Sequence, residues 1–233
     1  MPVWIKRLSS IALLSFFAVT GYWVSIVAQD ATLFPIKTVK VEGVVQHINQ
    51  NILSRAIAED IQQSFFVLDV HSIQKQIQGM PWVEDVIVQR TWPYTLKLTI
   101  TEQIPVAIWN WKGLVNGSGE QFKEEDLFSF ANLPVLVGDD GHEKLLVKKL
   151  FELQKIFDVE ALSIREIAMD QRYVWQLTLR NGIKVTLSDH TEEALVKQFI
   201  KAYKYNEISN HEKISTVDLR YQNGFSIKWT PGV

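Results

Sequence analysis

The sequence predicts an α+β protein: an N-terminal single transmembrane helix, then a small β-α-α-β-β unit, then a mixed α/β unit built on a mainly antiparallel sheet. Three patterns predict it. An uncharged, mostly apolar run from Leu8 to Gln29 follows Lys6 and Arg7. Between Ile36 and Glu102, segments of period two flank two segments of helical period. From Val106 to Trp229, short strand-like segments recur around two longer helical ones.

The Leu8–Gln29 run is 22 residues long. At about 1.5 Å rise per residue it spans roughly 33 Å, enough to cross a bilayer core once. Ten strong apolar residues in it, from Leu8 to Val27, favour insertion by roughly 3 to 6 kcal/mol, less what the Ser and Thr residues take back. Lys6 and Arg7 precede the run and Asp30 follows it, so the positive-inside tendency keeps residues 1–7 in the cytoplasm. A cleaved signal peptide is the alternative. Against it stand the length of the run and a poor small-x-small pattern, with Ile26 or Gln29 at the third position before the candidate cuts. Tyr22 and Trp23 come late in the run, where amphipathic rings suit the headgroup level. An uncleaved signal anchor over residues 8–29 is expected.

Phe34-Pro35 opens the soluble part. Ile36 to Glu42 alternates and reads as a strand that Gly43 stops. From Asn49 to Gln63, Leu53, Ala56, Ile57 and Ile61 recur at helical spacing, with Asn49 as N-cap. A second helix is predicted over Val70 to Gln78, closed by Gly79 and Pro81. Strands follow over Val83–Arg90, with Val86 and Val88 on one face, and over Tyr94–Glu102, with Leu96, Leu98 and Ile100 on one face. Thr91-Trp92-Pro93 makes the turn between them. A domain boundary is expected near Gln103 to Pro105, giving domains over 34–103 and 104–233.

In the second domain, short strands are predicted over Val106–Trp111, Leu114–Asn116, Gly119–Phe122 and Leu133–Leu136. Helices are predicted at about His142–Phe157 and Glu192–Tyr205. Between them lie three strands, Ser163–Met169, Val174–Leu179 and Ile183–Leu187, with Asn181-Gly182 as a hairpin signal. The last strands are Ile214–Leu219 and Gly224–Trp229, and Pro231 ends pairing.

Composition excludes several classes. The chain has 233 residues and a formal charge of −2, and Lys6 and Arg7 precede the anchor, so the outer part is at −4, which argues against nucleic-acid binding by a basic patch. With no cysteine, disulfides, thiolate metal sites and a cysteine nucleophile are absent. The five histidines are scattered, and no HExxH, GxSxG or P-loop pattern occurs. Asp139-Asp140-Gly141 lacks the remaining ligands of a calcium loop, and Gly117-Ser118-Gly119 reads as a hairpin turn. No cofactor, metal or catalytic residue is expected.

Binding is the better reading, and it centres on the C-terminal end. Gly224 to Trp229 alternates, with Phe225 and Ile227 on one face and Ser226 and Lys228 on the other. The sequence leaves open whether this strand is a sheet edge. At an edge, its N–H and C=O groups would be free to pair with another chain. Tyr221 and Trp229 flank the strand and suit either aromatic anchoring of a partner or closure of the core. Arg220 suits a partner carboxylate.

The order of motifs resembles the FtsQ/DivIB family of bacterial cell-division proteins. Pro35-Ile36 through Val41-Glu42-Gly43 is similar to the first strand of that family's POTRA domain. Pro81-Trp82-Val83, Arg90-Thr91-Trp92-Pro93, Leu96 and Glu102 to Pro105 are similar to its last strands and to the bridge beyond. Leu114-Val115-Asn116, Gly119, Phe122 and Leu133-Pro134 resemble the start of its β domain. Val217-Asp218-Leu219-Arg220-Tyr221, Gly224 and Trp229 resemble that domain's last strands. The chain departs from many members in its short tail before the span, and from some in Lys228. The resemblance implies a divisome scaffold, single-pass and type II in the inner membrane, with the bulk of the chain in the periplasm at the septum. It implies that the C-terminal region engages the FtsB–FtsL pair and thereby helps control septal peptidoglycan synthesis. The residues expected to do so are Arg220, Tyr221, Asn223, Gly224, Phe225, Ser226, Ile227, Lys228 and Trp229. Arg172, beside Tyr173 in the loop before Val174, is expected to add to that surface. Two other readings keep part of the sequence: a POTRA-containing accessory of protein transport or outer-membrane assembly, and an anchored envelope enzyme.

Overall fold

A computed structural model describes residues 3–208, 213–222 and 224–230. The chain divides into two compact units, Met1–Gln103 and Ile104–Val233. In the first, helix α1 (Val3–Gln29) contains a stretch, Ala12–Gln29, long and apolar enough to cross a membrane. The helix starts before the predicted span and takes in Lys6 and Arg7.

Beyond α1 come β1 (Thr38–Glu42), α2 (Gln50–Ile57), α3 (Val70–Gln78), β2 (Val83–Thr91) and β3 (Thr95–Glu102). They form a three-stranded sheet ordered β1-β3-β2, with β1 parallel and β2 antiparallel to β3. Alternation along β2 and β3 buries Val86, Val88, Leu96, Leu98 and Ile100, and the helices contribute Leu53, Ile57, Ile73 and Ile77 to that core. The Asn49 side chain accepts from Asn51 N–H, and that of Asp69 from His71 and Ser72 N–H, so both helices are capped. The predicted single helix over 49–63 is interrupted. It ends at Ile57, and Asp60–Gln62 forms one 3-10 turn. The tightening lets the chain turn so that Ser64, Phe65 and Leu68 are buried. Gly43 has φ +120°, and a Cβ there would lie 2.1 Å from the Ile100 carbonyl oxygen. Only glycine fits where the chain leaves β1 beside β3.

The second unit is one nine-stranded mixed sheet with two main helices, α4 (Glu143–Phe157) and α5 (Glu193–Ile208). Its strands are β4 (Pro105–Trp109), β5 (Gly113–Asn116), β6 (Gln121–Phe122), β7 (Val135–Val137), β8 (Ile164–Met169), β9 (Val174–Leu179), β10 (Lys184–Ser188), β11 (Ile214–Asp218) and β12 (Ser226–Trp229). Their order is β12-β11-β10-β9-β8-β7-β4-β5-β6. Chain-adjacent strands joined by tight turns pair antiparallel, as β8 with β9 and β9 with β10. The parallel pairs are β4/β7, β7/β8 and β10/β11; β5 and β6 lie in the first connection, α4 in the second and α5 in the third, because a parallel return needs a long crossover. Leu146, Leu150, Leu153 and Phe157 of α4 and Val196, Phe199 and Ile200 of α5 join Trp175, Leu177, Val185 and Val217 of the sheet in one core. The Asn181-Gly182 hairpin has a three-residue loop in which Gly182, at φ +90°, donates its N–H to Leu179 O.

Candidate functional site

β12 is the last strand of the order, so the sheet ends on it. Thr230 N–H donates to Lys213 O at 2.7 Å, and Lys228 O accepts the Ser215 hydroxyl at 3.1 Å. Both groups face β11. Backbone groups alternate in direction along an antiparallel strand. The N–H and C=O of Ile227 and Trp229 therefore face away from β11, where no described strand lies. Ser215 is the extra residue of a bulge between the pairs Ile214–Trp229 and Thr216–Lys228.

The side chains of β12 divide as the alternation requires. Phe225, just before the strand, and Ile227 are half-buried against the core, and the Phe225 ring meets Phe199 edge-on at 6.1 Å. Ser226 and Lys228 are exposed. Trp229 is 37% exposed and Tyr221 57% exposed, so neither ring is sealed inside. They lie toward opposite ends of the strand. Gly224 is half-buried, and Asn223 lies outside the described residues.

Arg220 is already engaged. Its guanidinium binds Asp218 through Nε at 2.9 Å and Nη2 at 2.6 Å, and its backbone N–H also donates to Asp218. The Arg220 guanidinium holds the Asp218 carboxyl below its usual range. A partner carboxylate would have to compete with Asp218. Arg172 stands apart as well. It lies in the β8–β9 turn, at the same end of the sheet as Tyr221, but β10 and β11 intervene between β9 and β12. Three strand spacings are roughly 14 Å. Asp170 accepts the N–H groups of Arg172 and Val174, and the Tyr173 ring turns to His142 at the start of α4, 6.2 Å away. The turn is therefore not adjacent to β12, because the sheet order, which is non-local, places two strands between them.

One feature escaped the sequence. A hollow of about 700 Å³ lies beside Tyr221, lined by Ser188, His190, Leu195, Gln198, Leu219 and Arg220 among others. The Thr191 hydroxyl accepts from Ser188 N–H and donates to Leu219 O, tying the start of α5 to the exit of β11. The lining comes from two separate stretches, 188–198 and 219–222, and no spacing signals their convergence. Among the described residues, no group of three or more His, Asp or Glu is arranged to hold a metal.

Comparison with known proteins agrees with this architecture. The model for the FtsQ-type POTRA domain matches residues 34–103, and that for the C-terminal part of cell division protein FtsQ/DivIB matches residues 107–220. A cell division protein FtsQ from Aliivibrio fischeri is 30% identical over 229 residues, covering 96% of this chain and 89% of the relative. The chain belongs to the FtsQ family of cell-division proteins. The FtsQ of Methylomonas methanica is 29% identical, covering 90% of this chain and 84% of its own, and that of Neisseria gonorrhoeae is 29% identical, covering 84% and 81%. The family match on the second unit ends at Arg220, so β12 lies beyond it. Membership assigns the chain to cell division, and its apolar α1 fits a single-pass inner-membrane protein.

Proposed function

We propose that this FtsQ-family chain is a scaffold of the divisome that captures FtsB, and through it FtsL, on the free edge of β12. Residues 1–7 lie in the cytoplasm, residues 8–29 anchor the chain, and the POTRA domain (34–103) and β domain (104–233) work in the periplasm at the septum. By linking early to late division proteins, the scaffold helps control septal peptidoglycan synthesis. Its mechanism is recognition without chemical turnover. The observation that carries this reading is the position of β12 at the sheet edge, with the backbone groups of Ile227 and Trp229 facing outward. An added strand of FtsB pairs with those groups. Trp229 and Tyr221 bracket it as exposed aromatic anchors, and the hollow beside Tyr221 receives a partner side chain. Confinement of both proteins to one membrane raises their effective concentration.

Titration of the full chain with an FtsB periplasmic peptide tests the reading. Trp229→Ala and Tyr221→Ala are each expected to weaken capture by about tenfold or more while leaving the unfolding transition in place. Unchanged affinity in a folded variant refutes the site.

A further inference from the structure

The POTRA domain carries a second surface, at the end of its sheet where the chain arrives from α1. Contacts from four parts of the chain build it. The Ser64 hydroxyl donates to Ala28 O in the last turn of α1, at 2.5 Å. Phe65 N–H donates to Phe34 O, and the Phe34 and Phe66 rings meet edge-on at 4.9 Å. Arg90 Nη1 donates to the carbonyls of Phe65 and Phe66 at 3.1 and 2.9 Å. Tyr94 O accepts from Lys37 and Thr38 N–H, and Lys37 Nζ lies over the Tyr94 ring at 4.4 Å. The loop 64–68 and the β2–β3 hairpin turn are thereby gathered at the foot of the anchor.

This end exposes several apolar side chains. Leu33, Phe66 and Val67 are open, and Trp92 at the hairpin tip is 76% exposed. Behind them stand Lys37, Tyr94 and Arg90. Trp and Tyr beside Lys and Arg are the residue types that favour the headgroup level of a bilayer. The depth also fits. From Leu8, just after the two basic residues, twenty residue steps lead to Ala28, or about 30 Å along a helix. That matches the hydrocarbon thickness of about 30 Å. Ala28, and the loop hydrogen-bonded to it, therefore sit at the outer boundary of the hydrocarbon.

We infer that this end of the POTRA domain docks on the phospholipid interface of the membrane that holds α1, with Phe66, Val67 and Trp92 entering the headgroup region. The inference rests on α1 spanning that membrane. The lipid is the occupant because the contact to Ala28 leaves this patch continuous with the span. Docking adds a second attachment to the anchor and fixes how the domain tilts.

Depth-dependent quenching tests it, and the absence of cysteine gives a clean background. Full-length Trp92→Cys, Val67→Cys, Tyr22→Cys and Val44→Cys, each carrying an environment-sensitive fluorophore, are placed in phosphatidylethanolamine–phosphatidylglycerol vesicles containing lipid spin-labelled at the headgroup and, for Tyr22, about six residues deep in the hydrocarbon, along the acyl chain. Val44 is exposed near the opposite end of the same sheet. The labels at Trp92, Val67 and Tyr22 are expected to lose most of their emission and the Val44 label to keep it. Quenching at Tyr22 with either Trp92 or Val67 as bright as Val44 overturns the docking and leaves the span standing. Quenching at all four positions also overturns it, as does a bright Tyr22 label, which removes the span as well.

Discussion

The nine-stranded sheet ends in two unlike edges. At one end, β6 is two residues long, its Phe122 is buried, and the Gln121 amide donates to Glu143 in the first turn of α4. Gly119, just before it, lies so close to α4 that a Cβ would come within 2.6 Å of Lys144 Cα. That edge is short and tucked against a helix, which is how sheets avoid unwanted pairing. At the other end, β12 has four residues, two outward-facing backbone positions and exposed aromatics near both of its ends. The difference teaches that this fold protects one edge and, among the described residues, leaves the other without a covering strand or helix.

The largest expected effect comes from removing what holds β12 in place. Phe199 is fully buried and contacts Phe225 as well as Phe157. Phe199→Ala is expected to destabilise the β domain by about 3–5 kcal/mol, read from urea unfolding. A loss near zero would mean that β12 does not hang on this core. Next comes a pair of prolines. Ile227→Pro deletes an outward N–H and is expected to cost about tenfold or more in FtsB capture with the fold retained, whereas Lys228→Pro deletes an inward one and is expected to lower the melting midpoint of the domain. Equal effects on both readouts would break the assignment of which groups face outward.

The smallest effect is ionic. Asp218 is lowered by Arg220. Lys40 and Lys97 hold Glu42 down to about 2. Burial pushes Glu102 up, but the N–H groups of Gln46, His47 and Ile48 outweigh it and the net shift is downward. Each folded pKa lies below its unfolded value, so these carboxylates stabilise the fold when ionised. Their contribution is complete above the ordinary carboxylate range of about 4 and fades as pH falls toward 2. The melting midpoint is expected to hold above about pH 5 and decline below it, and Asp218→Asn is expected to soften the decline in the β domain. A midpoint flat to pH 2 contradicts the shifts.

Much of the fold is legible in the residues. Asn49 caps its helix as expected, and α3 spans the predicted Val70–Gln78. Alternation in β2, β3 and β9 marks their buried faces because one side of each packs on helices. The break after Ile57 is not legible, since the pull comes from Phe65 and Leu68 entering the core. Nor is the edge. Strand order depends on where α4 and α5 cross, and no local pattern encodes it. The Arg220–Asp218 pair lies only two residues apart, yet it forms because the chain leaves β11 in a turn that brings both side chains together. Arg172 is a further case, a polar turn whose chemistry suits a partner and whose distance from β12 only the sheet order reveals.

The POTRA sheet also has a mechanical side. The chain enters β1 from the anchor and leaves from the far end of β3, and these two strands are parallel neighbours over five residue pairs. Tension applied between α1 and the end of β3 would pull the two strands lengthwise past each other. Their hydrogen bonds are then loaded in shear, all at once, and do not unzip singly. The domain would hold its shape longest under a pull along this path.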